Sequence, residues 1–556
     1  MILSSKVWGL LFLIMGSSAL VGCSDGDNGV AGATGSAGLS ALVSQSSLPV
    51  AGDDCDFGGV RVASGTDVDA NGVLGAGEEA SVDLVCNGSD APAVNTAVKS
   101  LFTGLGISAD PATGRTLPNI DAALPQLGMK LFFTKGLGGD QDSACVTCHH
   151  PVLGGGDDMT LPVGVAAEIH GLLGPGRRHL SGSIGFDGGP TVPRNAPTTF
   201  NVAMWDSVLF HDGRVQALTP MPLASGTVGG IRTPDSAFGV ADPAATGSLA
   251  DAQARFPVTS PEEMRGFAFE AGNSNDAVRA HLEDRLQGDA PELPANQWLP
   301  AFRTGYANPT GTADTLITFP NITRAIAAYE SSQVFVETPV KRFIAGDDSA
   351  LSGDAKLGAL LFYGEAGCGG CHSGNFFTDE AFHVIAMPQV GRGKGDNNGV
   401  NGNDDFGRFR ESGVETDRYA FRTPSLINTA VTGPWGHAGA YETLEVVVRH
   451  HIDPRTAIQN FDFNQLEPGV LAADMVVNTG FALDKLDALR AAGASVLPVV
   501  TGLDDTDIAR LVAFLEALTD PCVEARQCLS QWMPNSADQD PDTLRVTAID
   551  RTGAAL

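Results

Sequence analysis

The chain has 556 residues, 43% of them hydrophobic, enough to bury several cores and to predict about three or four domains. Its formal charge of −31 excludes nucleic acid as a partner and argues against an anionic membrane surface. That charge suits either a basic redox partner or simply the solvated exterior of an exported protein.

Residues 1–22 carry Lys6 and then an apolar run over 7–15, which predicts a signal peptide too short for a stable membrane span. They end in Leu20-Val21-Gly22-Cys23, which resembles a bacterial lipobox, where the cysteine is acylated and anchors the mature chain. Ser24 behind it points to the outer membrane, hence to a lipoprotein of the bacterial cell envelope facing the periplasm or the cell surface. The rival reading is a simple cleaved signal that leaves Cys23 a free thiol.

Residues 23–50 are rich in Gly, Ala and Ser and predict a flexible tether. Residues 51–90 predict a small β-rich module closed by a disulfide between Cys55 and Cys86. Inside it Asp67, Asp69, Asn71 and Glu78 fit a calcium loop, with oxygen ligands at alternate positions, Gly72 at the turn and a carboxylate at the twelfth place. The flanks at 60–62 and 82–85 are β-like, so an EF-hand pair is excluded and an Asp/Gly-rich hairpin remains the alternative.

Cys145-Val-Thr-Cys148-His149 and Cys368-Gly-Gly-Cys371-His372 follow. In such a run two thiols form thioethers with a haem's vinyl groups and the next imidazole takes an axial position on iron, so two covalent c-type haems are expected. A redox dithiol would call for one motif in a thioredoxin-like βαβ setting, which neither copy has. His150 reads as packing or surface. Cys522 and Cys528 are expected to close a small loop.

The surroundings of the motifs repeat as well. Leu127-Gly128-x-x-Leu131-Phe132-Phe133 precedes the first, and Leu357-Gly358-x-x-Leu361-Phe362-Tyr363 the second. Arg194-Asn195-Ala196-Pro197-Thr198 is answered by Arg422-Thr423-Pro424-Ser425, and His211-Asp212-Gly213 by His437-Ala438-Gly439. A mainly α chain is predicted, with two tandem cytochrome c-like domains over 95–345 and 346–520 and a tail over 521–556. A Gly/Ala/Pro/Asp-rich stretch, 223–254, reads as a surface excursion.

This ordered set, with Asp212-Gly213-Arg214 and Thr432-Gly433-Pro434-Trp435-Gly436-His437 added, resembles the bacterial di-haem cytochrome c peroxidases and the related di-haem enzyme of methylamine utilisation. The resemblance covers about residues 115–520. It implies an N-terminal haem that meets hydrogen peroxide, a C-terminal haem that stores and relays an electron, and an interdomain calcium on Asn195, Thr432 and Pro434. It also singles out Glu263, in Ser260-Pro261-Glu262-Glu263-Met264, as the acid–base group for O–O cleavage, a task suited to a sheltered carboxylate. Thr259 stands where relatives often carry glutamine.

Relatives often close the resting N-terminal haem with a loop histidine. The matching run 183–187 has none, so an open first haem is expected. The place of an inter-haem tryptophan falls on His211. The sixth ligand of the second haem falls on His451, with Met387 and His450 as fallbacks. Arg194 and Arg422 are candidates for haem propionates or for structural salt bridges. The expectation is a peroxidase supplied by a small cytochrome c or cupredoxin, against two rivals: a di-haem oxidase modifying a protein or organic substrate, and a non-catalytic outer-membrane electron conduit.

Overall fold

The computed structural model describes residues 40–50, 57–86, 91–186, 188–394, 402–494 and 496–556. The signal peptide, Cys23, Cys55 and the side chain of Cys86 lie outside these, and with them the anchor and the Cys55–Cys86 pairing. Among the described residues no helix is long and apolar enough to cross a membrane.

Three antiparallel strands come first: β1 (Ser40–Val50), β2 (Phe57–Asp67) and β3 (Glu79–Cys86), in that order across the sheet. This corrects the tether, because residues 40–50 are strand, paired with β2 from Ser40↔Asp67 to Val50↔Phe57. Its polar composition hid it: backbone N–H and C=O groups pair whatever the side chains are. The buried Gln45 also donates its N–H to Glu365 Oε2 at 3.1 Å, tying the sheet to the helical body just ahead of Cys368. The loop from 68 to 78 joins β2 to β3 as a hairpin connection.

The helical body shows the repeat as one helix crossing made twice. Ala123–Phe133 crosses Phe319–Ser331, and Gly353–Tyr363 crosses Asp505–Glu516. A methyl group on Gly128 would fall 1.9 Å from Ala325 O, and one on Gly358 1.9 Å from Arg510 O. The glycine of each Leu-Gly-x-x-Leu-Phe run is therefore required by the close approach of the second helix. Phe132 packs at a tilt on Tyr329 at 4.9 Å and Phe362 edge-on to Phe514 at 5.1 Å, so the aromatic positions of the repeat do the same work in both halves.

The chain ends cross over, which corrects the boundaries at 95 and 521. The Ala91–Leu105 helix serves the second half: Phe102 packs on Tyr363 and Phe514, Lys99 pairs with Asp348, and Asn375 Oδ1 accepts from Ser108 N at 2.7 Å. The tail serves the first half. Trp532 packs on Phe335 at 4.8 Å and its carbonyl accepts from the Tyr329 hydroxyl. Asp542 Oδ2 accepts from Trp298 Nε1 at 2.9 Å and Thr134 Oγ1 at 2.7 Å. Cys522 and Cys528 are disulfide-bonded. The 223–254 stretch is less peripheral than its composition suggests, since Ile231–Arg232 pairs with Val215–Ala217 and the Leu249–Gln253 helix is largely buried.

Candidate active site

Each haem-type motif coils into a single tight turn that sets two sulfurs and an imidazole on one side. His149 N donates to Cys145 O at 3.1 Å, and His372 N to Cys368 O at 3.0 Å. Behind each ring, Nδ1 lies 3.1 Å from a carbonyl, Gly155 O for His149 and Phe377 O for His372. A carbonyl only accepts, so Nδ1 carries the proton and Nε2 presents its lone pair, the tautomer an iron ligand needs. Burial holds His149 below its usual pKa, and burial and then His451 push His372 down to about 4, so both rings are neutral. The four motif sulfurs form no disulfide. Burial pushes the Cys145 and Cys148 thiols well up and Cys368 up to about 12, the opposite of the lowered pKa that makes a redox dithiol reactive.

Around the second motif lies a cavity lined by Cys368, Cys371 and His372 on one side and by Met387 and His451 among others. The Leu444–Ile452 helix, capped by Thr443, decides between the adjacent histidines. Val447, Val448 and His451 share the cavity face, as spacings of three and four residues require. His451 Nδ1 donates to Val447 O at 2.8 Å, so Nε2 is the free nitrogen. His450, one residue earlier, points into the core, where Nδ1 meets the Tyr441 hydroxyl and Nε2 the Ile385 carbonyl, both at 2.8 Å. This removes the His450 fallback: both of its nitrogens are committed.

The same cavity bears a mark of the group it fits. Arg422 lines it, donates from Nε to Phe210 O at 3.1 Å, lies 3.6 Å over the Trp205 ring, and has Nη1 buried without a protein partner. A buried guanidinium nitrogen left unpaired is costly, and a propionate would satisfy it. Two sulfurs, a tautomer-fixed imidazole, a facing histidine and this arginine together fit a covalent haem. Arg194 is different: it takes Asp405 through Nε (2.6 Å) and Nη2 (2.8 Å) and Asp212 through Nη1 (2.5 Å), a buried structural pair and not a propionate partner. His383, which lines the cavity and pairs with Asp379 at 2.7 Å, carried no sequence signal.

Beside the first motif the chemistry changes. Met264 Sδ touches Cys145 Sγ at 4.0 Å, and Met264 O accepts from Gly139 N at 2.8 Å, so the 261–265 turn is pinned against the haem attachment. That turn carries Glu263, about a quarter exposed (27%), with Arg214 Nη2 4.0 Å from Oε1. Burial raises the Glu263 pKa, while Arg214 and then Lys394 oppose the rise. Glu262 instead accepts from Ser260 Oγ at 3.1 Å. Of the nearby histidines, His179 contacts Thr191 Oγ1 through Nε2 at 2.8 Å, and His170 is exposed with its carbonyl taken by Arg177.

Asn195, Thr432 and Pro434 all line the cavity around the second motif. Asn195 donates from Nδ2 to Met159 O at 2.9 Å and from N to His437 O, while its carbonyl accepts from His211 Nε2 at 3.0 Å. With Nδ2 committed, Oδ1 is the oxygen it offers to a hard cation. In the β2–β3 hairpin, carboxylate oxygens of Asp67, Asp69 and Glu78 lie within 4.8 Å of one another. The loop also satisfies them internally, Asp67 accepting from Asn71 N and Gly72 N, and Asn71 Oδ1 from Val73 N.

Residues 122–349 match the family model described as di-haem cytochrome c peroxidase, and residues 41–86 match a domain of unknown function, DUF7151. The methylamine utilization protein MauG of Methylorubrum extorquens is 30% identical over 331 residues, 59% of this chain and 67% of that protein. Cytochrome c551 peroxidase of Pseudomonas aeruginosa is 27% identical over 317 residues, 56% and 67%. The crystal structure of a MauG-like protein associated with microbial copper homeostasis aligns with a TM-score of 0.48 at 20% identity, covering 75% of this chain and 97% of that one.

Proposed function

The chain belongs to the di-haem cytochrome c peroxidase family, an oxidoreductase family carrying two covalent haems, and from that premise we propose that it reduces hydrogen peroxide to water at its first haem site. The observation that supports this most is the asymmetry of the two sites: a half-buried glutamate with a cation beside it at the first, a facing histidine at the second. Haem bound by His149 supplies the redox centre at which the O–O bond is reduced. The chain's own part is proton handling. Glu263 takes the proton from the inner peroxide oxygen and returns it to the departing hydroxide, which leaves as water. Two electrons and two further protons complete the second water, so that H2O2 + 2 H+ + 2 e− gives 2 H2O, the electrons coming from a small cytochrome c or cupredoxin.

At the second site His451 is the proposed sixth ligand, with Met387 the alternative on the same cavity wall. Asn195, Thr432 and Pro434 are proposed to hold calcium, as is the Asp67–Glu78 loop. The Leu20–Cys23 lipobox would put the enzyme on a bacterial outer membrane. The MauG relative supports the second reading, a protein-modifying oxidase.

Peroxide added to the ferric and half-reduced protein, followed by absorbance and EPR, tests the proposal. One high-spin haem that is consumed by peroxide, beside one low-spin haem, is expected. Two low-spin haems and no turnover would refute the peroxidase reading and leave the electron conduit.

A further inference from the structure

Glu263 does not stand alone at the first site. The Arg214 guanidinium that reaches it is held by two neighbours. The Phe210 ring lies beneath it, 3.5 Å from Cζ to the centroid. Asp212 accepts from its backbone N–H at 3.1 Å and sits 3.4 Å from Nη1. Asp212 is itself fixed by Arg194, which Asp405 grips with two hydrogen bonds, and Asp405 Oδ1 accepts from Gly407 N at 2.9 Å. The row Glu263, Arg214, Asp212, Arg194, Asp405 thus alternates in charge and runs from the first half of the chain into the second. Turning Arg214 away from Glu263 would draw one cation off the buried Asp212, although Arg194 and the Arg214 backbone N–H would still bond it. Thr259 offers no substitute, because its hydroxyl donates to Phe256 O at 2.9 Å.

We infer that Arg214 is a positioning residue for the acid–base group: anchored by Phe210 and Asp212, it keeps Glu263 a carboxylate until a proton is offered from peroxide. This rests on the role given above to Glu263. The sign is fixed by the surroundings. Burial favours the neutral acid and an adjacent cation the charged form, so removing Arg214 lets the Glu263 pKa climb. The other groups facing Glu263 are Lys394, which supports Arg214, Glu262, which opposes it, and the Ser260 hydroxyl. Lys394 is itself pushed down to about 8 by burial and then by Arg214 and Arg194, so above that pH Arg214 acts with less help.

The test uses the full-length holoprotein and reads the protonated-carboxyl stretch in pH-difference infrared spectra, assigned through its loss in Glu263→Gln. In Arg214→Gln the midpoint of that band should rise by about one unit, and below the midpoint peroxide consumption should slow by about tenfold. Arg214→Lys, which keeps the charge, should restore most of both. Arg214→Met, which keeps the stem over Phe210, serves if the glutamine variant does not fold. An unmoved midpoint in the neutral variants, or a lysine variant shifted as far as they are, overturns the inference. Undiminished peroxide consumption in Glu263→Gln overturns the catalytic role instead, and the band shift still judges Arg214 separately.

Discussion

The two haem-type sites are built on the same frame and differ in what faces the motif. In both, a glycine lets two helices close to carbonyl contact, a tight turn presents Cys-x-x-Cys-His, and a carbonyl fixes the imidazole tautomer. The second site adds His451 and Met387, from a helix and a loop of its own half. The first is faced by a charged turn, with Glu263 on it and Arg214 reaching in from beyond Asp212. On the proposed function, the frame sets where a haem attaches, and the facing segment sets whether that haem is closed or left to react. Duplication supplied the first property and divergence of two short segments the second.

Exchanging the facing ligand should break the contrast most completely. In His451→Gly the low-spin EPR signal assigned to the second haem should convert wholly to high-spin, and in His450→Ala it should persist, because His450 is spent on Tyr441 and Ile385. A persistent low-spin signal in His451→Gly would transfer the ligand role to Met387.

Arg194 tests what joins the sites. Arg194→Met leaves Asp212 and Asp405 buried and facing each other, which should cost about 3–5 kcal/mol in denaturant unfolding. The Arg194 guanidinium holds both carboxyls far below the usual range in the folded protein. Their contribution is therefore complete above the ordinary carboxylate pKa of about 4 and is lost only as pH falls toward the depressed values. The gap between wild type and variant should be widest near neutral pH and narrow on acidification.

The smallest effect probes the shared frame. Gly128→Ala and Gly358→Ala each drive a methyl group into a carbonyl at 1.9 Å, and each should cost about 1–3 kcal/mol. Equal losses would mean that the frame is truly repeated. A loss confined to one half, read from separate thermal loss of the two haems' axial-ligand absorbance signals, would show that the repeat survives in shape and not in energetics.

Much of this was legible in the sequence because the chemistry is local. Cys-x-x-Cys-His spacing and the Leu-Gly-x-x-Leu-Phe runs carry their meaning within a few residues, whereas the Glu263-Met264 pair was singled out only by the family resemblance. Register with the family pointed to His451, and the helix phase places it, and not His450, on the cavity wall. What stayed hidden depends on distant partners. β1 owes its existence to β2 and Glu365 rather than to its own side chains. Arg214 reads as one letter of a motif until Glu263, some fifty positions later, is folded against it. The Ala91–Leu105 helix gives no hint that Phe102 belongs beside Phe514, because its apolar face fits either half.

The crossing of the chain ends has a bearing on how the molecule could come apart. The first described helix completes the second half and the last described residues complete the first, so each half is laced shut by chain from outside it. A protease that nicks the exposed turn at 345–349 should therefore release neither half as an independent cytochrome. The order of assembly is equally constrained. The first half gains Trp532 and Asp542 only from chain that follows the whole of the second half, so the shell beside Glu263 stays incomplete until that later segment is in place.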